Sequence, residues 1–116
     1  LHAQVVIDPG HGGNDWGAQG NFRGEVFKEK DLTLEFAREL NAAFKEKGVE
    51  GVLTRNQDHF VSLAERTSLV NKFRPKLFLS LHMNANGVSP GFEIFTLSPI
   101  FAFSNINQSP DSTITL

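Results

Sequence analysis

Few side chains in this chain are able to do chemistry. Cysteine is absent, which excludes disulfides, cysteine-based zinc sites and thiol nucleophiles together. The four histidines, His2, His11, His59 and His82, are then the main candidates for metal binding or proton transfer. His2 sits at a terminus and His59 follows the polar run Asn56-Gln57-Asp58, so both read as solvated surface residues. His11 and His82 each stand where an apolar run has just ended, residues 4–8 and 77–81. In open α/β sheets ligands bind at the carboxyl ends of strands, so two histidines delivered there can converge on one point. Taken singly, each is as well explained as a hydrogen-bonded structural histidine. Glu29, at the close of a glycine-rich stretch and before a helical pattern, also has two readings. It can satisfy free backbone N–H groups at a helix start, or it can be a carboxylate metal ligand. Two imidazoles and one carboxylate form the His2Glu set of a catalytic zinc site, whose fourth position is left to water. Zinc in such a site polarises a carbonyl and lowers the pKa of water toward ~7.

Other chemistries find less support. No HExxH is present, so a zinc site carried on one helix is excluded. Gly10-His11-Gly12-Gly13 lacks GxGxxG spacing and no GK[ST] follows, which argues against a phosphate loop. There is no GxSxG elbow, and Ser80 reads as a buried strand serine.

The elements that position these residues follow from the pattern of apolar residues. Residues 4–8 form a short apolar run stopped by Pro9-Gly10, as a buried strand does. Gly10, Gly12, Gly13, Gly17, Gly20 and Gly24 make residues 9–25 a long loop. Asp31 is placed to cap a helix that runs to about residue 47, with Phe36, Ala37, Leu40, Ala43 and Phe44 as its apolar stripe and Gly48 as its stop. A second strand covers residues 49–54. Ser62-Leu63-Ala64-Glu65 fits a capping box, opening a helix whose apolar face includes Leu63, Leu69, Val70 and Phe73, ended by Pro75. Residues 77–81 form a continuously apolar strand, and 91–97 a fourth. Strand, helix, strand, helix, strand is the order of an α/β domain with a mostly parallel sheet flanked by helices, a three-layer α/β/α arrangement. Beyond residue 97 the periodicity is lost; residues 104–115 read as a linker or frayed tail, and residues 100–103 as an edge strand at most.

Composition agrees with one ordinary domain. The chain has 116 residues, and 40% hydrophobic with 21% charged residues is enough apolar content for a core. A formal net charge of -2 offers no basic field for nucleic acid. No run of about 18 apolar residues is present to span a membrane.

Val6-Ile7-Asp8-Pro9-Gly10-His11-Gly12-Gly13 resembles the opening motif of the zinc-dependent N-acetylmuramoyl-L-alanine amidases, the Amidase_3 family of cell-wall hydrolases. Further segments are similar to the family in the same order: Lys28-Glu29-Lys30-Asp31, Leu53-Thr54-Arg55, Ser62-Leu63-Ala64-Glu65-Arg66, Leu79-Ser80-Leu81-His82-Met83-Asn84-Ala85 and Gly91-Phe92-Glu93-Ile94. The resemblance spans about residues 5–97. It implies a Zn2+ cofactor held by His11, Glu29 and His82. It also implies hydrolysis of the amide between N-acetylmuramic acid and L-alanine in peptidoglycan or a muropeptide, in the periplasm or at the extracellular cell wall. An activator protein would be a further partner, of unknown identity. Arg55 and Arg66 are expected to be structural, and Asn84 either shapes the site edge or serves a turn.

The family pattern continues into a late strand that ends in a glutamate motif and supplies the catalytic base. Residues 98–116 contain no glutamate, and Asp111 is their one acidic side chain. The sequence therefore predicts an amidase-like α/β domain over residues 1–97, truncated at its C-terminal side, and a tail or non-family segment over 98–116. The base is unassigned, and Glu93 is expected to be a strand residue rather than its substitute. The competing expectation is a non-catalytic remnant that binds zinc or peptidoglycan without cutting it.

Overall fold

Strand β1 (Val5–Pro9) is buried along its whole length because it lies between two parallel neighbours and under helices on both faces. The computed structural model describes residues 2–84, 91–97 and 112–115. The elements that follow β1 are β2 (Gln19–Phe22), β3 (Glu25–Lys28), α1 (Glu29–Glu46), β4 (Gly51–Leu53), α2 (Leu63–Phe73), β5 (Leu77–Asn84), β6 (Gly91–Leu97) and β7 (Ser112–Thr115). Five strands form one sheet in the order β4-β1-β5-β6-β7. The β4–β1 and β1–β5 pairs are parallel, while β5–β6 and β6–β7 are antiparallel. The parallel half carries the expected α/β/α layers.

Those layers follow from alternation along the strands. Val5, Ile7, Leu79 and Leu81 pack against Ala37 of α1, with Phe36, Leu40 and Phe44 around them. Val6 and Phe78 point the other way and pack on Val70 and Phe73 of α2. Two details of the expected apolar stripes differ. Ala43 is exposed and Leu34 buried on α1, and Leu63 is exposed at the start of α2 while Val61, just before the helix, is buried.

The helix ends show where local signals held. Ser62 caps α2, its hydroxyl accepting from the Glu65 N–H at 3.1 Å. Helix α1 begins at Glu29, three residues earlier than a cap at Asp31 would allow, and its N-cap Lys28 makes no side-chain cap bond. Loop carbonyls take that role instead: the Glu29 N–H donates to Ala18 O at 2.8 Å and the Lys30 N–H to Trp16 O at 3.1 Å.

Three further segments depart from expectation. The glycine-rich stretch contains a two-stranded hairpin, β2–β3, turning at Arg23 and Gly24, both with positive φ (52° and 82°), as a tight hairpin turn requires. Strand β5 runs to Asn84, so His82 lies within it rather than after it. Residues 112–115, where composition suggests a linker or tail, pair with β6 as β7. The edge strand expected at residues 100–103 lies outside the described residues.

Candidate metal centre

The site begins where β1 ends. The Gly10 N–H donates to Leu81 O at 2.9 Å, which carries the β1–β5 pairing one residue further, and the chain then turns through His11 at φ 67°. A positive φ is costly for a histidine, and two arginines hold the backbone there. Arg55, fully buried, donates from Nε to Pro9 O (3.2 Å) and from Nη2 to Gly10 O (3.0 Å) and Lys30 O (2.8 Å). Arg66 donates from Nη1 to Pro9 O and from Nη2 to His11 O, each at 3.0 Å. Arg66 in turn pairs with Asp8, whose carboxylate also accepts from Thr54 Oγ1 at 2.8 Å and Ser80 Oγ at 2.7 Å. The arginines and Ser80 are structural, and the structure they hold is the loop bearing His11.

Glu29, the first residue of α1, is 4% exposed and sits between the two histidines. Its Oε2 lies 2.9 Å from His11 Nε2 and 3.2 Å from His82 Nδ1, and accepts from the Met83 N–H at 3.0 Å. Its Oε1 accepts from the Ala18 N–H at 2.8 Å. Burial opposes ionisation of this carboxyl, but the His82 hydrogen bond, the Ala18 and Met83 N–H groups and the charge at His11 outweigh it and hold the pKa at about 2. The two imidazole rings meet edge to face, 5.1 Å between centres. Ligand atoms of His11, Glu29 and His82 all lie within 4.8 Å of one another, a group able to hold a metal ion. His2 and His59 are exposed and outside this group, as their sequence contexts predict.

Two glycines make the approach possible. A Cβ on Gly17, which also has a left-handed φ of +68°, would lie 2.6 Å from both Glu29 Oε1 and His11 Cδ2. A Cβ on Gly10 would lie 2.6 Å from His82 Cε1. Any other residue at either position would push a site side chain out of place.

Sequence reasoning missed Asp15. Its Oδ2 lies 2.9 Å from His11 Nδ1, and its Oδ1 accepts from the Gly17 N–H at 3.1 Å. A signal was present, an aspartate four residues after a candidate histidine in a turn-rich segment, but turn chemistry explains such an aspartate equally well. Lys30 and Asp58 were also passed over. They form a 2.8 Å ion pair that fastens both polar groups of Gly13, through Lys30 Nζ to Gly13 O and the Gly13 N–H to Asp58 Oδ1. Glu93 stands opposite His82 in the β5–β6 register. The side chains of Glu93 and Asn84 lie outside the described residues.

Known proteins share both sequence and fold with this chain. The family model described as N-acetylmuramoyl-L-alanine amidase, Amidase_3, matches residues 5–115. The chain is 39% identical over 108 residues to the sporulation-specific N-acetylmuramoyl-L-alanine amidase of Bacillus subtilis (strain 168), covering 91% of this chain and 40% of that relative. Among solved structures, Cwp6 from Clostridium difficile superposes with a TM-score of 0.71 at 42% identity, covering 78% of this chain and 14% of that one. The N-acetylmuramoyl-L-alanine amidase AmiC2 of Nostoc punctiforme gives 0.65 at 40% identity, covering 73% and 46%. The chain thus spans 14–46% of the length of these three relatives. Because the family match runs from the first residue of β1 to the last of β7, on a fold shared with a solved amidase at 40% identity, the chain belongs to the N-acetylmuramoyl-L-alanine amidase family Amidase_3.

Proposed function

We propose that this chain carries the zinc site of a hydrolase that cleaves the amide between N-acetylmuramic acid and L-alanine in peptidoglycan. The observation that carries the reading is the convergence of His11 Nε2, Glu29 Oε2 and His82 Nδ1. Zinc accepts two imidazole nitrogens and a carboxylate oxygen at ~2.0–2.2 Å, which sets tetrahedral ligands about 3.3 Å apart. The 2.9 and 3.2 Å separations around Glu29 Oε2 are near that size, while the three donors together span up to 4.8 Å, so the donor types suit zinc and the two histidines would draw closer around the ion. Bound zinc would polarise the scissile carbonyl and activate water for attack on it.

The chain's own residues prepare that site. Glu29 is held ionised well below the usual carboxylate range, because His82, the N–H groups of Ala18 and Met83 and His11 favour its charged form against the cost of burial. The Arg55 and Arg66 guanidinium groups hold the carbonyls of residues 9–11, so His11 is presented on a fixed backbone. Both histidines are half-buried, with side chains 23% and 33% exposed, which leaves the centre open to a substrate on one side. Peptidoglycan as substrate places the work in the periplasm or at the extracellular cell wall. Among the described residues, no helix is long and apolar enough to cross a membrane.

One observation favours a second reading, a zinc- or peptidoglycan-binding unit without cleavage. Both acidic side chains described at the site are engaged, Glu29 by the histidines and two N–H groups, Asp15 by His11 and the Gly17 N–H. A general base, typically worth ~10²–10⁴-fold in rate, is therefore unassigned among the described residues. Zinc stoichiometry and muropeptide release, measured on one preparation, decide between the readings. About one zinc ion per chain with release of L-alanine-terminated peptide is the expected result. Zinc without release selects the binding reading, and no zinc overturns the hydrolase reading and the zinc-binding form of the second. His82→Ala removes one of three ligands and is expected to abolish stoichiometric zinc; unchanged metal content would refute the triad.

A further inference from the structure

We propose that Asp15 is the positioning residue of the centre, holding the His11 imidazole in the tautomer that turns an unprotonated Nε2 toward Glu29 and His82. The inference rests on the zinc reading of this site and goes beyond it by assigning what orients a ligand. The two nitrogens of His11 face two different carboxylates: Nδ1 lies 2.9 Å from Asp15 Oδ2, and Nε2 lies 2.9 Å from Glu29 Oε2. A carboxylate only accepts hydrogen bonds, so without a metal both contacts favour a ring N–H; once a metal takes the Nε2 lone pair, the remaining ring proton is on Nδ1, where Asp15 accepts it. Nε2 is the nitrogen on the side of the other two ligands.

Asp15 can do this because it is itself held. Its Oδ1 accepts from the Gly17 N–H at 3.1 Å, and its backbone exchanges hydrogen bonds with Gly12, N–H to O at 3.0 Å and O to N–H at 2.8 Å. Residues 12–15 thus close a small turn directly after His11, which swings the carboxylate back onto the ring four residues earlier. Gly17 sits against the His11 ring and Glu29 at once, so the segment from His11 to Gly17 packs as one unit around the imidazole. The Asp15 side chain is 55% exposed, so water competes for its contact and a moderate effect is expected.

The test is zinc affinity by chelator competition in the parent chain, D15N, D58N and His82→Ala. The side-chain amide introduced by D15N keeps an oxygen for the Gly17 N–H but presents N–H to Nδ1, which favours the Nε2–H tautomer, whose Nε2 has no lone pair to offer a metal. D58N is the control for loop fastening, because Asp58 ties down Gly13 in the same loop without touching a ligand. D15N is expected to weaken zinc binding about tenfold, the low end for loss of an outer carboxylate. D58N is expected to stay near the parent value, and the metal-free D15N chain to melt near the parent temperature. Equal affinity in D15N and parent overturns the inference, as does a loss in D58N as large as in D15N. If D15N fails to fold, ring nitrogen shifts in the zinc-loaded parent decide. A proton on His11 Nδ1 supports the assignment, and a proton on Nε2 overturns it. Zinc binding that is lost in His82→Ala but kept in D15N leaves the zinc reading standing and removes only this one; a parent without zinc affinity removes both.

Discussion

On the α1 side of the sheet, β1 and β5 present Val5, Ile7, Leu79 and Leu81 to an apolar helix stripe. On the α2 side the same strands present Val6 and Phe78, and then, toward their carboxyl ends, Asp8 and Ser80. The first face has hydrocarbon against hydrocarbon, and its contribution scales with the area removed from water. The second face changes character along its length. It is apolar at the start of the strands and polar where they approach the candidate centre, with Asp8 joined to Thr54, Ser80 and Arg66. A buried ion pair is weak evidence for stability, since desolvation offsets much of the attraction. Its position is informative instead: Arg66 continues from Asp8 to the carbonyls of Pro9 and His11. One face holds the domain together and the other holds a loop in place.

That division can be broken from either side. The largest effect is expected from Asp8→Ala, which leaves the partly buried Arg66 without its carboxylate and Thr54 and Ser80 without their acceptor, at about 3 kcal/mol in denaturant unfolding. Zinc affinity should fall with it, since the His11 carbonyl loses a firmly held partner; full affinity in a destabilised but folded variant would separate the network from the centre. Acid should act next, through Glu29. Its pKa is about 2 in the folded chain against the ordinary 4.5, so its ionised form stabilises the fold above pH 4.5. That contribution, on the order of 3 kcal/mol by linkage, is lost as pH falls from 4.5 toward 2. The difference in stability between the metal-free parent and Glu29→Gln should shrink over this window, and a difference independent of pH would contradict it. The smallest effect is expected on the apolar face. Ile7→Val removes one methylene from a fully buried side chain and should cost about 0.5–1.5 kcal/mol, with zinc affinity unchanged. A loss of zinc in that variant would mean that the two faces are coupled.

Much of this framework was legible in residue order. β1 is an apolar run ended by Pro9-Gly10, α2 starts at a serine followed by a glutamate three residues on, and β6 has the expected bounds, Gly91–Leu97. Each rests on local chemistry that acts within a few residues. The hairpin β2–β3 was not legible, because Gln19-Gly20-Asn21-Phe22 shows no alternation that a buried face would impose. Its one cue, a glycine after Arg23, is common in loops. The start of α1 was misplaced for a related reason. Its free N–H groups are met by the carbonyls of Trp16 and Ala18, which are distant in kind from any capping side chain. The length of β5 depended on its partner β6, and a pairing partner is invisible from one strand alone.

The candidate centre divides along the same line. By itself the sequence determined the donor types: two histidines and a glutamate on separate elements, without cysteine or HExxH, leave few metal chemistries open. It also determined that the elements alternate as an α/β domain, because periodicity is set by residues near in sequence. The tertiary structure alone decided that three ligand atoms separated by up to 71 positions, from His11 to His82, meet within 4.8 Å. It decided too that Asp15 faces the far nitrogen of His11, and that Arg55 and Arg66 act on the backbone of residues 9–11. These facts depend on distances across β1, β5 and the start of α1, which are set by packing among residues far apart in the chain, and no local pattern encodes them.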